Sequence, residues 1–148
     1  MDNGFYIVNQ LDTISKVPNS IVATIDGATI QTMDAFYNAF SDAFSFPEYF
    51  GENTEAFYEL INDLDWLNEN IFIIIIKDYD KMFVNDLEDK YMCLEMLYQS
   101  ALEWQSVPNY EGEEEFRNQS IFKIYIEKNT QIVSHLKEME INENVFIL

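Results

Sequence analysis

Residues 71–76 read Ile-Phe-Ile-Ile-Ile-Ile, the longest strongly apolar run in the chain. A run of this length without polar residues is typical of a central β-strand that is covered on both faces. It is much too short to span a bilayer as a helix. Residues 71–76 are therefore predicted to lie in the middle of a sheet that other segments of the chain flank.

Strand-like and helix-like segments alternate on both sides of this run. A β-branched segment at 20–25 ends at Asp26 and Gly27, a turn signal, and predicts a strand. Thr32 is placed to cap a helix over 33–44, and Asn53 to cap a second helix over 53–64. Further along, the patterns predict a helix at 84–105, a strand at 121–127, a helix capped by Asn129 or Thr130, and a short strand at 145–148. This alternation predicts an α/β fold with a parallel sheet and right-handed crossovers.

The chain is strongly acidic. Its 148 residues include 27 Asp and Glu but only 8 Lys and Arg, for a net charge of −19. Binding of nucleic acid or of an anionic membrane surface is disfavoured, because both need clustered basic side chains. The single cysteine, Cys93, excludes an internal disulfide, and residues 1–4 lack the pattern of a signal peptide. We expect one cytoplasmic domain over residues 1–148, without a metal or other cofactor.

A long part of the chain carries no positive charge. Between Lys16 and Lys77 there is no Lys, Arg or His, but there are ten acidic residues. The helical period of the predicted second helix stacks Glu55, Glu59 and Asp63 on one face. Each like-charge pair at this spacing costs about 0.2–0.5 kcal/mol. The opposite, apolar face consists of Ala56, Phe57, Leu60, Ile61 and Leu64. Two interpretations stay open: the acidic face binds a basic partner, or it is a solvated face that serves solubility.

A compact motif at residues 47–59 leads into this helix. It reads Pro-Glu-Tyr-Phe-Gly-Glu-Asn-Thr-Glu-Ala-Phe-Tyr-Glu. This motif resembles the signature of the barstar family of ribonuclease inhibitors, and the predicted elements around it follow the family's order. The resemblance implies a small three-stranded parallel sheet packed with helices. It places the barstar-like core at about residues 20–127, with N- and C-terminal additions at 1–19 and 128–148.

The resemblance also implies a function: a bacterial inhibitor or immunity protein of the toxin–antitoxin kind. Such a protein occludes the active site of a basic ribonuclease or nuclease toxin with an acidic helix and its preceding loop. By position, the two acids of the family's helix fall at Glu55 and Glu59. The implied partner-binding residues are Tyr49, Phe50, Gly51, Glu52, Asn53, Glu55, Tyr58, Glu59 and Asp63. The implied protein is not an enzyme, and it is a monomer when free.

The motif departs from the family in ways that suggest a different target nuclease. Glu55 and Glu59 stand where the family has aspartates, so each carboxylate reaches one methylene further. Phe50 lacks the hydroxyl of the family's second aromatic residue. A further family acid, on a later helix, has no clear counterpart, because Gln99 or Ser100 falls there.

Two other functions agree with parts of the sequence. An acidic nucleic-acid mimic, or another interaction module, could block a DNA- or RNA-binding protein, but a mimic would need acids spread over a longer surface. A hydrolase that uses two carboxylates would need a pocket that separates their pKa values, and adjacent turns of one exposed helix offer none. The lone His135 is expected at the surface, Cys93 is expected as a buried structural thiol, and the acidic segment 106–119 reads as a solvated loop.

Overall fold

The computed structural model describes residues 2–14, 17–47, 51–106 and 119–148. Its centre is one sheet of five parallel strands in the order β2-β3-β4-β1-β5. The strands are β1 (Gly4–Val8), β2 (Ser20–Asp26), β3 (Ile71–Lys77), β4 (Ile121–Glu127) and β5 (Val145–Ile147). Strand β3 pairs on both sides, with β2 and β4, as the apolar run at 71–76 predicts.

Four α-helices lie in the described part of the chain: α1 (Met33–Phe44), α2 (Thr54–Ile61), α3 (Leu87–Ser106) and α4 (Thr130–Glu138). Helix α1 has the predicted bounds, and the Thr32 side chain accepts a hydrogen bond from the Ala35 amide at 3.1 Å. Asn53 and Asn129 cap α2 and α4 in the same manner. The local capping signals in the sequence therefore act in the structure as they do in isolated helices.

The main core lies between the helices and one face of the sheet. Alternate residues of each strand point to that face. They include Phe5, Ile7, Ala23, Ile25, Phe72, Ile74, Ile76, Phe122, Ile124 and Ile126. Helix α1 packs its stripe of Phe36, Tyr37, Phe40 and Phe44 onto this face.

The prediction of a three-stranded sheet was wrong, because the sheet has five strands. Both additions contribute a strand to the same sheet: β1 pairs with β4 and with β5, with Phe5 opposite Ile124 and Val145. All five residues of β1 are buried. The pairing brings together residues more than a hundred positions apart, so no local pattern in the sequence reports it.

The connection from β1 to β2 lies on the face of the sheet away from the helices. Its 3₁₀ turn, Leu11–Thr13, contacts β4, and Leu11 and Ile14 line a cavity with Thr24 and Ile75. The other crossovers advance along the sheet in one direction, whereas β1 to β2 runs back across it. Right-handed crossovers in opposite directions belong on opposite faces, which accounts for this placement.

Helix α3 begins later than predicted and is turned differently toward the core. The Asp86 carboxylate accepts a hydrogen bond from the Asp89 amide at 3.0 Å, so the helix starts at Leu87 rather than at residue 84. The apolar Leu87 is 49% exposed, whereas Lys90 is only 2% exposed. Cys93 is fully buried, as predicted. Hydropathy alone would place a lysine on the exposed face of α3, but the packing of the helix buries Lys90.

Candidate functional site

Helix α2 presents the acidic face predicted from the sequence. Its cap forms where the Asn53 side chain accepts a hydrogen bond from the Ala56 amide at 2.8 Å. Phe57, Leu60 and Ile61 point inward and are at most 5% exposed, while Glu55 and Glu59 are exposed. Glu55 lies in the first turn, where the positive end of the helix dipole favours a carboxylate.

The neighbouring helices hold α2 at both ends. At its start, the Tyr37 hydroxyl of α1 lies 3.0 Å from the Thr54 hydroxyl. At its end, the Trp104 indole of α3 donates a hydrogen bond to the Ile61 carbonyl at 3.0 Å. Both of these contacts join uncharged polar groups.

Between these ends, Phe57 fixes the inner face of the helix. Its ring centroid lies 5.2 to 6.1 Å from those of Phe36, Tyr37, Phe40 and Phe46. Ring pairs at such distances add stabilisation beyond the area they bury. The ring cluster therefore holds α2, a helix of only eight residues, and the acidic face that it carries firmly in position.

Helix α2 is shorter than the predicted helix over 53–64, and this changes the place of Asp63. The helix ends at Ile61, and Leu64 takes up a left-handed φ of 53°. The bond from Trp104 satisfies the Ile61 carbonyl, which a further helical turn would otherwise use. Asp63 is exposed and lies in the turn beyond the helix, so the predicted C-terminal bound of this helix was wrong.

A concave surface of about 420 Å³ adjoins the end of α2. Glu59 and Asp63 lie on its wall together with Asp65 and Glu69. Phe72 and Trp104 line it from the core side. The structure thus groups two further acids with the predicted ones, because the chain turns back after α2 to enter β3. Of these acids, Asp65 is exposed and Glu69 is half-buried.

Helix α3 supplies an acid that the sequence did not identify. Glu95 is half-buried and lies near Tyr58 of α2. Burial raises the pKa of the Tyr58 hydroxyl, and the negative charge of Glu95 raises it further. Gln99 donates a hydrogen bond to the Glu95 carboxylate at 2.9 Å, while Ser100 is fully buried. Only the packing of α3 against α2 brings Glu95 to this face, where the sequence pointed to Gln99 or Ser100.

The loop before α2 is described only in part. Tyr49 and Phe50 lie outside the described residues. Gly51, Glu52 and Asn53 are exposed, and Glu52 has a left-handed φ of 49°. Of the nine predicted partner-binding residues, the seven described ones lie on α2 or on the turns at its two ends.

Other kinds of site were sought in the same residues. No helix within the described ranges is both long enough and apolar enough to cross a bilayer. Nor do three or more His, Cys, Asp or Glu side chains converge there as ligands of a metal ion would.

Comparison with known proteins agrees with the motif and with the order of elements. The family model described as Barstar (barnase inhibitor) matches residues 21–122, which is more than half of the chain. No curated protein matches the chain. The match includes α2, its preceding loop and Glu95, and it leaves β1, α4 and β5 outside. The chain belongs to the barstar family, whose name is that of a barnase inhibitor.

Proposed function

We propose that this protein inhibits a basic ribonuclease or nuclease toxin by covering its active site with α2 and the preceding loop. The observation that carries the proposal is the pair Glu55 and Glu59, exposed on a rigidly held helix inside the region that matches the barstar family. Members of that family act as inhibitors rather than as enzymes, and we propose the same for this chain.

The charge of this region supports a basic partner. No Lys, Arg or His occurs between Lys16 and Lys77, so nothing nearby in sequence offsets the acids of α2. An active site that binds RNA presents basic side chains to phosphates. The carboxylates of Glu55 and Glu59 would pair with those side chains in place of phosphates. Complementary charge would also accelerate the encounter.

The aromatic residues beside the acids would supply contact area. Tyr58 is half-buried on the same helix, and Tyr49 and Phe50 precede it in the loop. Large, rigid aromatic side chains next to charges are common in the energetic centres of interfaces. Glu52 and Asp63 would lie at the rim, and Gly51 and Asn53 would shape the turn into the helix.

We assign Glu95 the role of the acid on the later helix that the resemblance implies. It lies next to Tyr58, so a partner that covers α2 would also reach it. The concave surface with Asp65 and Glu69 would extend the same negative field toward the start of β3. The cytoplasmic location, the monomeric state and the organisation as one domain stay predictions.

The test is calorimetric titration with the nuclease encoded next to this gene and with a panel of barnase-like ribonucleases. We expect 1:1 binding that weakens as salt is added, because salt screens the charge attraction. Glu59→Gln should weaken binding by about 2–5 kcal/mol, a range for which the barnase–barstar complex is itself a reference case.

The matched control is Glu127→Gln. The Glu127 side chain is also exposed, and its substitution also removes one negative charge. It lies at the C-terminal end of β4, whereas α2 ends near the N-terminal end of β3. This variant should bind like the parent protein. Equal weakening by both variants would mean that only net charge matters, and would favour a diffuse nucleic-acid mimic. Tight binding that survives Glu59→Gln would contradict the proposed site.

A further inference from the structure

A buried polar cluster connects α3, α4 and the turn after β3, and it has no part in the proposed function. It consists of Tyr79, Lys90, Gln131 and His135, all of which touch another member. Tyr79 lies in the 3₁₀ turn Tyr79–Lys81 that follows β3. Lys90 belongs to α3, and Gln131 and His135 belong to α4. Tyr79 and Lys90 lie within the family match and the two α4 residues outside it, so the cluster joins α4 to the matched region.

Lys90 is a buried cation that two uncharged side chains contact. It is 2% exposed, and its ammonium donates a hydrogen bond to the Gln131 side-chain carbonyl. The ammonium also lies 4.0 Å from the centroid of the Tyr79 ring, in a cation–π contact. Burial lowers the pKa of Lys90 to about 8, although the charge of Asp80 opposes this effect.

His135 is buried in the same cluster, contrary to the prediction of a surface histidine. It is 9% exposed, and its Nδ1 lies 2.7 Å from the Tyr79 hydroxyl. The Tyr91 ring packs edge-on against it at 5.0 Å, and the Tyr91 hydroxyl donates to Glu138. Burial lowers the pKa of His135, Lys90 lowers it further, and Glu138 opposes both effects.

The hydrogen bond between Tyr79 and His135 has a different direction in the two protonation states of Nδ1. Burial raises the pKa of Tyr79, so its hydroxyl stays protonated and can donate to an unprotonated Nδ1. A protonated Nδ1 is itself a donor, so the hydroxyl would have to turn and accept. The imidazolium would also be a second buried cation beside Lys90. These effects disfavour the protonated histidine in the packed position of α4.

We propose that Tyr79, Lys90, Gln131 and His135 form an acid-sensitive clasp that holds α4 against α3 at neutral pH and loosens when His135 takes up a proton. Because the folded protein binds this proton less readily than the unfolded chain, the stabilisation is complete above the histidine's unfolded pKa. It is lost progressively as the pH falls below about 6.5. The proposal does not depend on the proposed inhibitory function.

The first measurement is an NMR titration of the imidazole, which is unambiguous because His135 is the only histidine in the chain. We expect a pKa below the ordinary value of about 6.5. Amide hydrogen exchange is then compared at about pH 7.5 and about pH 5.5, after correction for the intrinsic exchange rate. Protection in α4 should fall by at most about tenfold between these two pH values, because pH 5.5 lies about one unit below the ordinary histidine pKa.

His135→Asn tests the same idea with a side chain that cannot be charged. Its amide oxygen takes roughly the place of Nδ1 and accepts from Tyr79 at every pH. Protection of α4 in this variant should be the same at both pH values. Lys137→Gln, an exposed change on the same helix, should leave the pH dependence of the parent protein intact.

Three results would overturn the proposal: an ordinary or raised pKa of His135, equal protection of α4 at both pH values, or the full pH dependence persisting in His135→Asn. If that variant does not fold, the titration and the exchange of the parent protein decide the matter alone.

Discussion

Helices α2 and α4 begin with the same kind of cap, but different kinds of contact hold them in place. Each starts at an asparagine whose side chain accepts a backbone hydrogen bond at 2.8 Å, from Ala56 in α2 and from Ile132 in α4. Helix α2 carries acids on its outer face and is held by hydrogen bonds of two neutral side chains, Tyr37 and Trp104. Helix α4 is fixed by the titratable cluster around Lys90 and His135.

The difference bears on what each helix does under changing conditions. The two hydrogen bonds that hold the ends of α2 join a pair of hydroxyls and an indole with a carbonyl, and neither contains a histidine or a carboxylate. The carboxylates of α2 can therefore keep one position while a partner binds. Helix α4 is held by a contact of His135, so we propose that its attachment responds to pH. The helix proposed to bind the partner is thus the one whose end contacts involve no histidine.

The inner faces of the two helices provide the comparison with the largest expected effect. Phe57→Ala should lower the free energy of unfolding by about 3–5 kcal/mol, because it opens a cavity among four aromatic rings. Ile132→Ala, at an equally buried position in α4, should cost about 2–4 kcal/mol. Urea denaturation of both variants measures the difference. A smaller loss for Phe57→Ala would mean that α2 is not anchored by its ring cluster.

Substitutions of the two tryptophans distinguish the role of Trp104 at the end of α2 from a general loss of stability. Trp104→Phe removes the donor to the Ile61 carbonyl and should cost about 1–3 kcal/mol. Trp66→Phe is the matched control, since its indole donates to the Phe44 carbonyl at the end of α1 at 2.9 Å. Both variants should unfold at lower urea concentration, but only Trp104→Phe should speed amide exchange at the C-terminal end of α2. Equal exchange there in both variants would argue against the assigned role of Trp104.

The capping asparagines give the smallest effect and the sharpest comparison. Asn53→Ala and Asn129→Ala each remove one capping bond, and each should destabilise the protein by about 1 kcal/mol. Thermal or urea unfolding should therefore not distinguish them. Binding to the cognate nuclease should, because only Asn53 shapes the surface proposed to meet the partner. Similar weakening of binding by the two variants would count against the special role of α2.

Local signals in the sequence predicted much of this fold. Strand β3 follows from a continuous apolar run, α1 from the Thr32 cap and an aromatic stripe, and β4 from a β-branched segment. These features depend on residues a few positions apart, so a reading of neighbouring residues captures them. The motif at 47–59 pointed to the family that the match over residues 21–122 then showed.

The candidate site was predictable to a similar extent. The exposed carboxylates Glu55 and Glu59 and the buried Phe57 follow from helical periodicity and the Asn53 cap. The position of Asp63 did not follow, because the end of α2 depends on a hydrogen bond from Trp104, forty-three positions from Ile61 in the sequence. Glu95 was missed because its closeness to Tyr58 depends on the way α3 packs against α2.

What the sequence by itself determined is the four helices, the strands β2 to β5, the caps of α1, α2 and α4, and the acidic outer face of α2. All of these depend on interactions within one or two turns of a helix or one strand. Tertiary structure alone decided that β1 and β5 extend the sheet, that α2 ends at Ile61, and that Lys90 and His135 are buried. These outcomes depend on contacts between distant segments. Burying a strand edge, an unpaired carbonyl or a charge costs free energy, and contacts with a distant segment offset that cost. The balance is therefore known only once the partner segment is in place.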